Sequence, residues 1–200
     1  MRASRSGGRL ARFTAMPGSL TRQAYDRILD AIVYGPLDLG EPLSENALAR
    51  ALGMSKAPVR AAIHELRVKG LVRIVPNSGT YVFSPTREEI EQLCDFRTLL
   101  ESQALRLSME RAPDPLVADL RQIVAAMHET RDAERQGGRR LDSAFHQLFI
   151  THCGNAYLAD AYGTISLRVE ALRYRFMETT AFRQKAFEEH VEIAALLGDG

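Results

Sequence analysis

Three side chains of the kind that bind metal ions stand in the second half of the sequence. Asp142 and His146 lie four residues apart in the stretch LDSAFHQLF, so a helix there carries both on one face. His190 follows in FEEHVEI, on a separate predicted helix. One carboxylate and two imidazoles suit Zn²⁺ or another divalent ion. The same spacing also fits a surface pair and an unconnected histidine, so the residues alone leave both interpretations open.

A second pattern lies in the first half, in the stretch LGMSKAPVRAAIHELRVKGL. Lys56, Arg60 and His64 follow one another every four residues and therefore form one stripe on a helix whose other side is apolar. A basic stripe on the second helix of a helix-turn-helix suits the major groove of DNA, where arginine reads guanine. A stripe of this kind is also typical of an ordinary solvated helix face.

The elements that position this stripe are three helices and a hairpin. Capping residues, apolar spacing and glycines predict the helices from Ser19 or Thr21 to Gly35-Pro36, over 45–52, and from a cap at Ser55 to Gly70. LVRIV and TYVF are rich in β-branched residues and flank PNSG, which predicts a two-stranded wing. The order is that of a winged helix-turn-helix.

After Ser84-Pro85 the pattern becomes entirely helical. Thr86 and Glu89 form a capping box at the start of a long helix. Helices are predicted from there to about 110, over 115–135 with an end at Gly137-Gly138, and over 140–152, 156–177 and 181–197. Such a series predicts a helical bundle. The fold class is mainly α, with domains at 19–84 and 85–200.

Composition narrows the class of protein. The chain has 46% hydrophobic and 26% charged residues, as globular proteins do. No apolar run reaches the roughly 18 residues that span a bilayer, which predicts no membrane partner. Cys94 and Cys153 are too few for a disulfide framework, which indicates a reducing cytoplasm.

Charge is unevenly distributed along the chain. Residues 1–16 hold four arginines and no acid, 17–84 hold 8 basic and 6 acidic residues, and 85–200 hold 14 and 19. The front half is therefore positive and suits a polyanion. Residues 1–18 are expected to form a flexible basic arm, with a transit peptide as the alternative.

The segment LSENALARALGMSKAPVRAAIHELRVKGLVRIVPNSGTYV resembles the winged helix-turn-helix of GntR-family bacterial transcription regulators. It departs from the family pattern at Lys56, where arginine is usual, at Ala57, where threonine is usual, and at Ala61, where glutamate is usual. The resemblance covers about residues 20–83. It implies DNA contacts by Asn46, Lys56, Ala57, Arg60 and, at the wing, Gly79.

The second half resembles the effector domain of the FadR-like subfamily. The residues that carry this resemblance are Arg97 with Glu101, Asp142 with AFH ending at His146, Gly154-Asn155, and Glu189-His190. The resemblance implies a divalent metal, such as Zn, on Asp142, His146 and His190. It implies a small carboxylate effector near Arg97 and Asn155. The family's fourth ligand is a later histidine, and this sequence ends at Gly200, so the resemblance implies that the last helix and that ligand are missing.

These observations predict a ligand-responsive DNA-binding regulator, most simply a repressor, that acts as a cytoplasmic homodimer on a palindromic operator in double-stranded DNA and is not an enzyme. Two alternatives remain. A metal-dependent hydrolase would use Asp142, His146 and His190. A truncated remnant would bind DNA without responding to a ligand.

Overall fold

The computed structural model describes residues 19–130, 135–176 and 180–198. These residues form nine helices and one antiparallel pair of strands. The elements are α1 Leu20–Val33, α2 Glu45–Leu52, α3 Lys56–Val68, β1 Val72–Val75, β2 Gly79–Val82, α4 Arg87–Arg111, α5 Pro113–Thr130, α6 Arg135–His152, α7 Ala156–Gly163, α8 Ser166–Phe176 and α9 Thr180–Gly198. The predicted mainly α fold with a winged helix-turn-helix and a helical bundle is confirmed. The predicted basic arm over 1–18 lies outside the described residues.

The helix-turn-helix forms where the capping residues predict it. The Ser44 hydroxyl accepts the N–H of Ala47 at the start of α2, and Gly53 ends α2 with φ 65°. Ser55 occupies the predicted cap position of α3, but its side chain makes no capping hydrogen bond. The hydroxyl of Ser55 therefore faces outward at the turn between the two helices, where it is exposed.

The wing pairs Val72 with Val82 and Val75 with Gly79. Its turn needs a left-handed residue, and Asn77 supplies it with φ 59°. The segment before α2 lies along the other edge of β2, where Leu43 N–H donates to the carbonyl of Thr80 at 2.7 Å. Strand β2 is thus hydrogen-bonded along both of its edges.

The bundle has two helix boundaries that differ from the prediction. Gly137 and Gly138 were expected to end a helix, but they lie inside α6, which begins at Arg135. The predicted helix over 156–177 is two helices, since α7 ends at Gly163 and α8 starts at Ser166. The Thr164 hydroxyl accounts for this break because it donates to the carbonyl of Ala161 at 2.7 Å.

Helix α8 joins the two halves. Its residues Ala171 and Leu172 belong to the apolar core of the first half, whereas Val169 belongs to the core of the bundle. The Tyr34 hydroxyl, just after α1, donates to the carboxylate of Glu170 on α8. The first half therefore packs directly on the helix that lines the bundle interior. No helix within the described ranges is long and apolar enough to cross a membrane.

Candidate metal centre and nucleic-acid interface

Asp142, His146 and His190 come together between α6 and α9. One ligand atom of each lies within 4.8 Å of the others. His190 Nε2 is 3.2 Å from His146 Nε2 and 3.5 Å from Asp142 Oδ1. Two ligands that each lie about 2.1 Å from a tetrahedral zinc are about 3.4 Å apart. The spacing of these three atoms therefore fits one divalent ion.

Glu101 on α4 orients the ring of His146. Glu101 Oε2 lies 3.0 Å from His146 Nδ1 and accepts its N–H. This leaves the lone pair of the neutral ring on Nε2, which faces His190. Glu101 is itself held by Arg97, at 2.7 and 3.1 Å, and by the Tyr162 hydroxyl, at 3.0 Å. The Glu101 carboxylate is thereby held against the ring nitrogen of His146 that does not face the metal site, as is usual for metal-binding histidines.

The protonation states suit metal binding. Burial raises the pKa of Glu101, but hydrogen bonds from His146 and Arg97 outweigh it and lower that pKa to about 2. Burial lowers the pKa of His146 and, against the attraction of Asp142, lowers the pKa of His190 to about 4. Both imidazoles are therefore neutral at pH 7 and can donate a lone pair.

Arg173 on α8 completes the charged cluster. Its Nη1 lies 2.6 Å from Asp142 Oδ2, in a direction that does not form a hydrogen bond, so this buried oxygen has no hydrogen-bond partner among the described residues. Asp142 and His190 are each only 5% exposed. A buried carboxylate beside two neutral imidazoles is a donor set that suits a divalent cation.

The cluster opens into a cavity of about 360 Å³ between α4, α6, α8 and α9. Its polar lining is formed by Arg97, Asp142, His146, Arg173, Glu189 and His190. Most of the remaining lining is aliphatic or aromatic. The arrangement can bind a metal ion together with a small anion in a largely apolar chamber.

Two other residues predicted from the sequence have specific outcomes. Arg97 lines the cavity and also pairs with Glu101. Asn155 lies away from the cavity, and its side chain caps α7 by accepting the N–H of Leu158. Among the other histidines, His152 Nε2 lies 2.8 Å from Asp119 Oδ2, and His128 is exposed.

In the first half, α3 presents the predicted stripe to solvent. Lys56, Ala57 and Arg60 are exposed, whereas Val59 and Ala62 are buried against α1 and α2. The stripe therefore lies on the side of α3 that faces away from the core.

Arg60 is held in place by Glu45 from the first turn of α2. Its Nη2 and Nε lie 2.9 and 3.0 Å from Glu45 Oε2. The Arg60 side chain is still 69% exposed, and the hydrogen bonds of Glu45 raise its pKa. The pair therefore presents an oriented, permanently charged guanidinium at the surface.

A shallow depression lies at the turn between α2 and α3. Asn46, Arg50 and Lys56 line it, together with the exposed Ser55. At the wing, Gly79 has φ 144°, and an added Cβ would lie 3.6 Å from the Tyr81 ring. The depression suits close approach by a phosphate backbone because it combines two cations with small residues, and the wing suits it because Gly79 has no side chain.

Sequence reasoning assigned no role to three of these residues. Tyr162 and Arg173 reach the cluster from α7 and α8, and no short-range spacing relates them to Asp142. Arg50 lies beside Lys56 although six residues separate them. The only signal in the sequence was a basic or hydroxyl-bearing side chain among apolar residues of a predicted helix.

Models of two protein families match the chain. The model described as bacterial regulatory proteins of the gntR family matches residues 20–82. The FCD domain model matches residues 92–200, which is more than half of the chain.

Curated proteins with similar sequences are regulators. The chain is 30% identical over 195 residues to the HTH-type transcriptional regulator LutR of Bacillus subtilis, covering 84% of this chain and 87% of that protein. It is 28% identical over 160 residues to the Nta operon transcriptional regulator of Aminobacter aminovorans, covering 80% of this chain and 75% of that protein.

Solved structures share the fold. A GntR regulator from Rhodococcus sp. RHA1 superposes with a TM-score of 0.76 at 22% identity, over 90% of this chain and 86% of that one. Escherichia coli McbR/YncC gives a TM-score of 0.74 at 20% identity, over 91% and 87% of the two chains.

Proposed function

The chain belongs to the GntR family of bacterial transcriptional regulators and has the FCD effector-binding domain of the FadR-like subfamily. We propose that its first half binds operator DNA, that its second half binds a metal ion and an effector, and that effector binding changes operator affinity through α8. The observation that carries the proposal is the position of α8. This helix lines the effector cavity with Arg173 and packs on the DNA-binding half through Leu172 and Arg175.

Operator DNA is bound by α3 and the wing. Arg60 reads base edges in the major groove, where its guanidinium exchanges Glu45 for a base. Lys56 and Asn46 flank it at the helix-turn-helix turn, and Ala57 lies against the backbone. Gly79 allows the wing to approach a phosphate closely because it has no side chain.

A divalent ion binds Asp142, His146 and His190. The fit rests on the ligand spacing and on the neutral imidazoles. When bound, the ion supplies positive charge and open coordination positions for a carboxylate. Zinc suits the two imidazoles and the single carboxylate. Arg97 lies on the same side of the cavity and orients the effector carboxylate.

Effector binding changes operator affinity through α8. Arg173 pairs with Asp142, so occupation of the cavity alters the partner of a residue on this helix. Two residues later, Arg175 Nη2 donates to the carbonyls of Ile32 and Leu37 at the end of α1. A shift of α8 therefore moves α1 and, with it, the DNA-binding half.

The regulator acts as a cytoplasmic homodimer on chromosomal DNA. Two-fold symmetry places two copies of α3 on two half-sites of a palindromic operator. Repression follows if the dimer covers promoter DNA in the absence of effector. The proposed function involves no turnover, and Glu101, the acid that lies behind His146, is held by Arg97 and Tyr162.

The proposal is tested by selecting bound duplexes from a random-sequence pool with the purified protein. A regulator of this kind enriches a palindrome and protects two half-sites about one helical turn apart from cleavage. A pool that remains random after repeated selection contradicts the proposal. A hydrolase would instead show turnover that Asp142→Ala abolishes.

A further inference from the structure

The cavity around the candidate metal site changes character along its length. On α4, Leu93 and Ile90 lie about one and two turns before Arg97. On α9, Ala186 and Phe182 lie about one and two turns before His190. Two turns of helix measure about 11 Å. Two walls of the cavity therefore continue as apolar surface for about 10 Å beyond the charged groups.

The remaining lining is mostly apolar as well. Val169, Leu172 and Phe176 line the cavity from α8, and Ile193 lines it from α9. Cys94 and Glu189 are the two polar exceptions outside the charged cluster. Both are exposed at the rim, and Glu189 lies 3.8 Å from Lys185. A bound molecule that reaches past the cluster would thus contact hydrocarbon and aromatic rings.

Charge sets the chemistry of the other end. Arg97 and Arg173 face Asp142 there, and Glu101 lies behind Arg97. The charges of the two arginines and the two acids cancel. A divalent ion bound to Asp142, His146 and His190 would therefore make this end of the cavity positive. An anionic group is then favoured at this end and a neutral group is not.

We propose that the effector is a monocarboxylate of about six to eight carbons in all, with a compact apolar body that is either aromatic or branched aliphatic. The inference rests on the proposed function of the same cavity and adds the class of the ligand. The carboxylate lies at the metal and arginine end. The body lies between α4, α8 and α9 and removes apolar surface from water.

The same geometry disfavours hydrophilic acids. A sugar acid would place hydroxyl groups against Leu93, Ala186 and Phe182, where the aliphatic and aromatic side chains offer no hydrogen bonds. A tricarboxylate would place further negative charges there. Acetate has only a methyl group beyond its carboxylate, so it would leave the apolar end of the cavity unfilled.

The apolar end is also where the two halves meet. Ile90, Leu93 and Leu172 line the cavity and pack against the core of the DNA-binding half. A ligand body in this place therefore contacts the residues that support α1 and α3. The body of the ligand, in addition to its carboxylate, determines the strength of the response.

The test is calorimetric titration of the zinc-loaded full chain with five probes: phenylacetate, 4-methylpentanoate, acetate, gluconate and phenylacetamide. We expect phenylacetate and 4-methylpentanoate to bind at least about tenfold more tightly than acetate or gluconate, because several buried carbons each contribute. Phenylacetamide, which has the body without the charge, is expected to bind at least about tenfold more weakly than phenylacetate.

A cavity-filling variant makes the test specific. Ala186→Leu places bulk on the apolar wall and should weaken phenylacetate at least about tenfold while acetate binding is unchanged. Ala181→Leu, on the exposed first turn of the same helix, is the matched control and should bind all probes as the wild type does. Circular dichroism of both variants verifies that they fold.

Three results would overturn the inference: gluconate as the tightest probe, no binding of either apolar acid, or an equal effect of Ala186→Leu on phenylacetate and acetate. Operator binding without any probe is measured in parallel. Its loss would contradict the proposed function and leave the ligand class intact, whereas normal operator binding with the wrong probe order would contradict the ligand class alone.

Discussion

Arg173 and Arg175 lie two residues apart on α8, and their guanidinium groups contact different halves of the molecule. Arg173 Nη1 lies 2.6 Å from Asp142 Oδ2 in the cavity. Arg175 Nη2 donates to the carbonyls of Ile32 and Leu37 at 2.7 and 2.6 Å. About half a turn of helix therefore connects the candidate metal site to the end of α1. This connection and the two sites that it joins lead to specific predictions.

Replacing Arg175 with alanine should destabilise the contact between the halves. The variant leaves the Ile32 and Leu37 carbonyls without their donor in a partly buried position. We expect the free energy of unfolding to fall by about 2 kcal/mol, as for loss of charged hydrogen bonds. We also expect a bound ligand to alter operator affinity less in this variant than in the wild type. Urea unfolding measures the first effect. Arg106→Ala, which removes an exposed ion pair with Glu110 on α4, is the control and should change stability by less than about 0.5 kcal/mol.

Zinc should raise the thermal stability of the protein, and a chelator should reverse the change. A ligand at about one hundred times its dissociation constant stabilises the native state by about 2.7 kcal/mol. His190→Gln removes one of three ligands and should abolish the shift, whereas His128→Gln, at an exposed histidine, should retain it. An equal zinc effect in both variants would show that the ion binds elsewhere.

Glu101→Gln should weaken metal binding although Glu101 is not a ligand. The substitution removes the charged acceptor that holds His146 Nδ1–H and so leaves the orientation of that ring less fixed. Metal affinity is expected to fall about 10- to 100-fold. Competition with a chromogenic chelator measures it. Glu110→Gln lies exposed on the same helix and should have no effect, and a wild-type affinity in Glu101→Gln would contradict the supporting role.

Gly79→Ala should weaken the wing through backbone strain rather than through a clash. Its φ of 144° is unfavourable for any residue with a Cβ, while the nearest atom to that Cβ would be 3.6 Å away. We expect a loss of about 1–2 kcal/mol in stability together with weaker operator binding. Gly163→Ala, where an added Cβ meets no atom within 4 Å, should be neutral or slightly stabilising. A neutral result at both glycines would show that the wing turn is not strained.

The helix-turn-helix was predictable because its signals are local. Ser44 and Gly53 determine the two ends of α2, as the Thr86–Glu89 capping box determines the start of α4 in the bundle, through contacts within a few residues. The double glycine inside α6 was misleading because its cost of about 1 kcal/mol for each residue does not end a helix that packs on α4 and α5. The break between α7 and α8 depends on a side-chain bond of Thr164, which periodicity does not reveal.

The candidate metal site was predictable only in part. Asp142 and His146 share a helix face, whereas His190 was a separate candidate that only the resemblance joined to them. Tyr162 and Arg173 depend on how α7 and α8 return to the cluster, which is a property of the tertiary fold. Asn155 was predicted from the resemblance to bind the effector, but in the structure its side chain caps α7.

The most direct test of the account is a salt-dependent binding titration on the duplex enriched by selection, with wild type, Arg60→Ala and Arg106→Ala side by side. Arg60 and Arg106 both lie in exposed ion pairs, but only Arg60 lies on α3. The account predicts that wild type and Arg106→Ala bind specifically in the presence of competitor DNA and that Arg60→Ala binds about tenfold or more weakly. Binding that is equal on any DNA, disappears as salt rises and does not depend on Arg60 would contradict it, because α3 would then be an ordinary solvated helix.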